Sequence, residues 1–174
     1  GLWLGAYPPR TVWSLPPDTP AAVQERYNTY CYPDAVVLAQ TEDSQSVLTS
    51  DDKDILTRTR LKVLDVIKAP AGLAVGDQIA VVRSGGEVFN HGEHLRVRND
   101  SWSDFSAGRV FILKLRAIHH AGMDHYFNLM YREAAMADMR LVDEWDLFAV
   151  GTPYADIQAD LQRLPARYAC PPSR

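Results

Sequence analysis

The residues best suited to chemistry in this chain are its histidines, and all five of them fall between residues 91 and 125. They are His91, His94, His119, His120 and His125. His91 and His94 are spaced as H-x-x-H, and Glu93 stands between them. Imidazole and carboxylate groups bind zinc readily, and a carboxylate can act as a base towards a metal-bound water. The pattern therefore defines a candidate zinc site made from these histidines and Glu93, and with it a metal-binding protein or a metal-dependent hydrolase.

The histidine pattern also has a simpler explanation. The H-E-x-x-H helix of many zinc hydrolases is absent, and Gly92 between His91 and Glu93 favours a loop. The predicted strand over 109–117 separates the first two histidines from the other three. It would hold the two groups about 25 Å apart if they flank it end to end. Solvated or packing histidines are therefore the alternative to a metal site.

The two cysteines give the only clue to the compartment. Cys31 and Cys170 are too far apart for the short ligand spacings of zinc ribbons or the C-x-x-C of redox enzymes. One disulfide between them would tie the tail to the end of the first helical segment and stabilise the fold, and such bridges persist in oxidising compartments. Two unpaired, buried thiols are the alternative. We predict the Cys31–Cys170 disulfide, because the tail has no other evident means of being held in place.

Composition excludes several classes of protein. The chain has 174 residues, enough for one domain with an additional arm, and 47% of them are hydrophobic. Lys and Arg number 18 against 22 for Asp and Glu, giving a net charge of −4, so no basic excess favours nucleic acid as a partner. No apolar run approaches the ~20 residues that span a bilayer. The G-x-S-x-G, Walker and G-x-G-x-x-G motifs are absent, so no catalytic residue or nucleotide cofactor is predicted.

The distribution of prolines divides the chain into three parts. Residues 1–20 contain five prolines and three large aromatic side chains, which predicts an irregular arm laid across the body. Residues 21–165 form a single predicted domain that opens with a short helix over 21–30. Residues 166–174 form a predicted tail.

Hydrophobic periodicity predicts a mainly β body. Alternating or short apolar patterns predict strands over 35–39, 57–63, 79–83, 94–98, 109–117 and 126–131. Of these, the strand over 57–63 carries a basic outer face, and the loss of alternation after it predicts either a bulge or burial on both faces where the strand enters a barrel. The strand over 109–117 has the strongest pattern and is predicted to be central.

The last third of the chain is more varied. Residues 133–140 contain good helix formers but also fit a continuing strand, and both alternatives stay open. Residues 141–150 fit either a hairpin or a strand with an acidic interruption. Thr152 followed by Pro153 predicts a helix cap, and helical spacing continues to Leu164.

The order of several segments resembles a family of secreted bacterial proteins. Residues 35–39 (AVVLA), 60–68 (RLKVLDVIK) and 75–82 (VGDQIAVV) follow the pattern of an opening strand, V-x-x-V-x-K, a loop and G-D-x-[IV]-x-V. Residues 108–113 match the strand that precedes closure of the barrel in that family, and residues 151–164 match its closing helix. The chain thus resembles secreted bacterial OB-like barrel proteins, which are similar to the tissue-inhibitor-of-metalloproteinase fold.

This resemblance implies a fold, a compartment and a type of function. It implies an OB-like small barrel with a short N-terminal helix and a C-terminal helix packed outside, in a protein exported to the periplasm or secreted. It supplies no catalytic residues, and the dense disulfides of the animal inhibitors are missing, so inhibition is not carried over. We therefore predict an exported, non-enzymatic binding or interaction module with a protein or cell-envelope partner. The metal-binding protein or metal-dependent hydrolase stays the alternative.

Overall fold

The fold was analysed in a computed structural model that describes residues 30–69, 72–98, 103–118, 125–146 and 148–163, together with residues 20, 21 and 24. The chain divides into two compact units. The sheet unit is Asp34–Glu133, and the terminal unit combines Gly1–Pro33 with Ala134–Arg174. The single domain predicted over 21–165 stays a prediction.

Strands account for most of the described structure, which confirms the predicted mainly β class. The strands are β1 (Ala35–Leu48), β2 (Ile55–Lys68), β3 (Gln78–Ser84), β4 (Gly86–Asn90), β5 (Glu93–Val97), β6 (Val110–Ala117), β7 (Tyr126–Ala137) and β8 (Arg140–Leu141). They are followed by the helix α1 (Tyr154–Gln162). All six predicted strands have a counterpart in this series.

Five of the strands pair into a closed ring. The pairing order is β1–β2–β3–β7–β6 and back to β1. β1 pairs antiparallel with β2 and β6, β2 pairs antiparallel with β3, and β3 pairs parallel with the start of β7. The predicted central strand is thus found as β6, which lies between β1 and β7 and is buried from Phe111 to Leu115.

The side chains of β2 alternate as predicted between the core and the outer surface. Thr59, Leu61 and Val63 are buried, while Arg60 and Lys62 between them are exposed. The predicted irregularity beyond Val63 is also present, because the pairing of β1 with β2 shifts register twice in this region. The basic outer face and the bulge of this strand are therefore confirmed.

Strand β1 is much longer than the predicted strand over 35–39. Its polar half, residues 41–48, continues the ladder with β2 instead of forming a loop. Asp43 forms an ion pair with Arg60, which lowers the pKa of the Asp43 carboxyl, and Gln45 accepts a hydrogen bond from Arg58 at 3.1 Å. Cross-strand polar pairs on the outer face thus replace the apolar alternation that the prediction relied on.

Residues 103–109 form the covering segment, which packs on the ring and contacts two buried charged side chains. Phe105 is buried against Phe111, with ring centroids 4.8 Å apart, and the Arg83 guanidinium lies 3.6 Å from the Phe105 ring centroid. Arg83 donates a hydrogen bond to the Ser103 carbonyl at 3.2 Å, and the Ser103 amide donates to the Glu133 carboxylate at 3.1 Å. Burial lowers the pKa of Arg83 to about 10, against the opposing attraction of nearby carboxylates. Two buried, oppositely charged side chains therefore fix this segment.

The ambiguous stretch over 133–140 proves to be strand up to Ala137, followed by a turn and the start of β8. β7 continues to Ala137, turns through Asp138 and Met139, both at positive φ, and pairs with β8. A two-residue turn with this backbone joins antiparallel strands tightly. Strand pairing therefore overrides the helix propensity of the alanines. Part of the predicted hairpin over 141–150 is also present, as a bridge between Trp145 and Phe148.

The predicted C-terminal helix is found as α1, although it is capped differently. Its buried residues Tyr154, Ile157 and Leu161 follow the predicted spacing. Pro153 is the N-cap, and the Thr152 hydroxyl instead donates to the Ala149 carbonyl at 2.7 Å, so the predicted Thr152 cap was wrong.

Several predicted regions fall where the structure gives no description. The proline-rich arm, most of the helix over 21–30 and the tail over 166–174 lie outside the described residues. In the described part of the chain, no helix has the length and apolar character needed to cross a bilayer.

Candidate functional site

Strands β4 and β5 form a hairpin that is a separate two-stranded sheet. Its cross-strand pairs run from Gly86 with Val97 to Asn90 with Glu93. The hairpin follows directly after β3, and Gly85 between them donates its amide hydrogen bond to the Ile55 carbonyl at 2.7 Å. The second of these strands was predicted over 94–98, but its partner was not.

The turn of the hairpin gives His91 a backbone role. His91 and Gly92 have φ values of +52° and +79°, respectively. Two successive positive φ values are typical of the tight turn that joins strands across two residues, and histidine tolerates this conformation better than most residues. Of the two histidines in the H-x-x-H pattern, His91 is therefore a turn residue and His94 is a strand residue.

The hairpin is joined closely to β1 and β2 at Gly86. A Cβ atom at this position would lie 2.6 Å from the Ser46 hydroxyl oxygen and would overlap the Thr57 hydroxyl. Thr57 donates to the Gly85 carbonyl at 2.8 Å and shares a 2.7 Å hydrogen bond with Ser46. The first residue of the hairpin is thus held against the ring by a close contact that only glycine permits.

Four side chains on the exposed face of the hairpin form one cluster, the hairpin patch. They are Glu87, Phe89, His94 and Arg96. Glu87 pairs across the hairpin with Arg96, and Phe89 pairs with His94. The Phe89 and His94 rings stack with centroids 5.0 Å apart. The Glu87 carboxylate lies 3.0 Å from Nε of Arg96 and 3.1 Å from Nε2 of His94.

The hairpin patch combines a large apolar surface with positioned charges. Phe89 is 80% exposed, and Glu87, His94 and Arg96 are about half exposed. The opposite face of the hairpin is less accessible, since Val88 and Leu95 are half-buried. Aromatic and arginine side chains are the residue types enriched in protein interfaces. The ion pairs and the stack hold the side chains of this surface in place.

The predicted zinc ligands are not brought together in the described part of the chain. His94 is partnered by Glu87 rather than by Glu93, which pairs with Asn90 next to the turn. His125 lies at the other end of β3 from the hairpin, where its carbonyl accepts a 3.0 Å hydrogen bond from the Ala80 amide. His119 and His120 lie outside the described residues. Among the residues that are described, no three His, Cys, Asp or Glu side chains are grouped to hold a metal ion.

Metal analysis distinguishes the two explanations of the histidines. Protein purified without an affinity tag is expected to carry less than about a tenth of an equivalent of zinc, copper or nickel, because a bound metal needs several converging ligands. Inductively coupled plasma mass spectrometry measures this directly. Near-stoichiometric metal that is lost in a His94→Ala variant would contradict the expectation.

The structure describes one of the two cysteines of the predicted disulfide. Cys31 is half-buried and is not a free thiol, whereas Cys170 lies outside the described residues, so the pairing stays a prediction. Thiol titration of denatured protein never exposed to reductant is expected to find no free thiol. Reduction is expected to lower the free energy of unfolding by about 2 to 4 kcal/mol. Two free thiols per chain would rule out the bridge.

Two residues of the hairpin patch, Glu87 and Phe89, were not predicted as site residues. A signal for them was present, since the turn-forming Asn90-His91-Gly92 stands between two short segments of alternating polarity. Cross-strand pairing then places Phe89 directly opposite His94, which follows it five residues later in the chain. The sequence matches no protein-family model, and no relative was found among curated proteins.

Proposed function

We propose that this protein is an exported, non-enzymatic binding module that contacts a protein partner through the hairpin patch. The observation that carries the proposal is the 80% exposure of Phe89 on a hairpin whose neighbouring charges are already paired. Single exposed apolar side chains are common, but Phe89 is stacked on His94 and shares its face of the hairpin with Arg96, which supports a role as an interface anchor. Export is proposed from the family resemblance and the predicted disulfide.

The OB-like fold belongs to the same proposal and is supported by the strand order of the ring. Numbering the ring strands by their order in the chain gives the sequence 1-2-3-5-4-1, with the third and fifth strands parallel. An OB-like Greek-key barrel has five strands, and its loops and outer face bind ligands. The hairpin lies between the third and fourth ring strands, as an insertion into that arrangement.

Site-specific photo-crosslinking tests the proposed function. A benzoylphenylalanine residue placed at Phe89 in the organism that encodes the protein is expected to cross-link one predominant protein, identifiable by mass spectrometry. Val75 is the matched control, since it is 62% exposed and apolar but lies away from the hairpin in sequence. The same pattern of products from both positions, or none from position 89, would contradict the proposal.

A further inference from the structure

The outer edge of β5 offers unpaired backbone groups for binding. The tight turn at His91 and Gly92 makes Asn90 and Glu93 a hydrogen-bonded pair, and such pairs alternate along an antiparallel ladder. Leu95 therefore directs its backbone N–H and C=O towards β4, whereas His94 and Arg96 direct theirs away from it. In the part of the chain that is described, the sheet ends at β5.

Side chains along β5 alternate in chemistry as well as in direction. His94 and Arg96 lie on the exposed face with Phe89, while Leu95 and Val97 lie on the other face. The basic alternation continues to Arg98, which is exposed directly after the strand. The residues with outward backbone groups are therefore also the residues with basic side chains.

Charge on the exposed face favours an acidic partner. Arg96 shares the Glu87 carboxylate with His94, and no further contact occupies its terminal guanidinium nitrogens among the described residues. Glu87 is thus paired with Arg96, whereas Arg98, the next residue in the alternation, is exposed and adds a second positive charge beside the edge of β5. A row of acidic side chains on a neighbouring strand would complement this face.

From these observations we infer that β5 binds an extended segment of the partner protein by strand addition, and that acidic and apolar residues alternate in this segment. This inference rests on the proposed function and specifies how the partner binds. The acidic side chains lie beside Arg96 and Arg98, and the apolar ones extend the surface of Leu95 and Val97. Backbone hydrogen bonds to His94 and Arg96 supply affinity, and the alternation supplies specificity.

Amide hydrogen exchange with defined peptides tests the inference. The probe is an acetylated heptapeptide in which Glu alternates with Val, and the control is the same peptide with Lys in place of Glu. Saturating Glu/Val peptide is expected to slow exchange of the His94 and Arg96 amides of isotope-labelled protein at least about tenfold, the effect of one well-formed hydrogen bond. The Leu95 and Val97 amides, which face β4, are expected to change little.

Backbone-methylated probes separate strand addition from simple charge attraction. Two Glu/Val peptides carry identical side chains but differ in which backbone amides are methylated. In one phase the Glu amides are N-methylated, and in the other phase the Val amides are. Because only alternate amides of an added strand point towards β5, one phase is expected to keep binding and the other to lose it. Equal binding of both phases, or equal protection by the Lys/Val peptide, would overturn the inference.

Reversing the charge of an exposed residue outside the hairpin tests the contribution of charge to peptide binding. Arg98→Glu is expected to weaken binding of the Glu/Val peptide about fivefold, whereas Lys53→Glu, an exposed reversal in the β1–β2 turn, is expected to leave it unchanged. If neither peptide binds while cross-linking at Phe89 still captures a partner, the inference fails and the proposed function stands. If the peptide binds but position 89 cross-links nothing, the proposed function fails instead.

Discussion

Replacing Glu133 by glutamine is expected to lower the free energy of unfolding by about 3 to 5 kcal/mol, the cost of leaving a buried charge uncompensated. Glu133 and Arg83 are only 6% and 8% exposed, respectively. Glutamine keeps an oxygen that can accept the hydrogen bond from the Ser103 amide, so the variant changes mainly the charge. Urea denaturation monitored by tryptophan fluorescence measures the change.

A double variant separates the charge from the packing. Burial lowers the pKa of Arg83 although Glu133 and Asp104 raise it, so its proton is held more weakly in the folded protein than in the unfolded chain. The Arg83 charge therefore opposes folding even with these carboxylates present, and opposes it more strongly once Glu133 is neutral. Arg83→Met combined with Glu133→Gln is therefore expected to recover most of the lost stability. Asp104→Asn is the matched control, since it neutralises an exposed carboxylate beside the same guanidinium. A loss as large in the control as in Glu133→Gln would contradict the role given to the buried pair.

Replacing Gly86 by alanine is expected to cost about 4 kcal/mol, because it combines a strained backbone with an overlap in a packed contact. Gly86 has a φ of +136°, and its added Cβ would overlap the Thr57 hydroxyl. The same urea denaturation measures the loss, and amide exchange in β4 and β5 shows whether the hairpin detaches from the ring.

Gly92→Ala provides the control for this prediction. Gly92 also has a positive φ, +79°, but no atom lies within 4 Å of an added Cβ. Only the backbone term then applies, and a loss of about 1 kcal/mol is expected. Equal losses in the two variants would show that the contact with Thr57 does not hold the hairpin.

Ring strands could be predicted from the pattern of apolar residues in their own segment. This pattern is an alternation in a strand with one apolar face and a continuous run in a strand buried on both faces. The alternation around Leu61 predicted β2 and its bulge, and the run from Phe111 to Leu115 predicted β6 as central. Both patterns depend only on near neighbours in the sequence. The helix α1 was predictable for the same reason, since Tyr154, Ile157 and Leu161 repeat at helical spacing.

Elements that depend on distant partners were not predictable in this way. The polar half of β1 is a strand because Asp43 and Gln45 pair with arginines of β2, and nothing in their own segment indicates it. The covering segment has no periodicity, and Phe105 is buried there because Arg83 and Phe111 surround it. Such contacts exist only once the ring has formed.

The candidate site shows the same limit. The histidines drew attention as possible metal ligands because their residue type is visible in the sequence. The contacts of His94 follow instead from its register, which places it beside Phe89 and within 3.1 Å of Glu87. A one-residue change in the hairpin turn would have put these side chains on opposite faces.

The affinity of the protein for the partner captured at position 89 tests the central claim most directly. Isothermal titration calorimetry with purified components is expected to show binding about 30-fold weaker for Phe89→Ala than for the unaltered protein, as for an interface anchor worth about 2 kcal/mol. Val75→Ala should bind as the unaltered protein does, and the thermal unfolding midpoints of all three should agree closely. Equal affinity of Phe89→Ala and the unaltered protein would contradict the assignment of the hairpin patch as the binding surface.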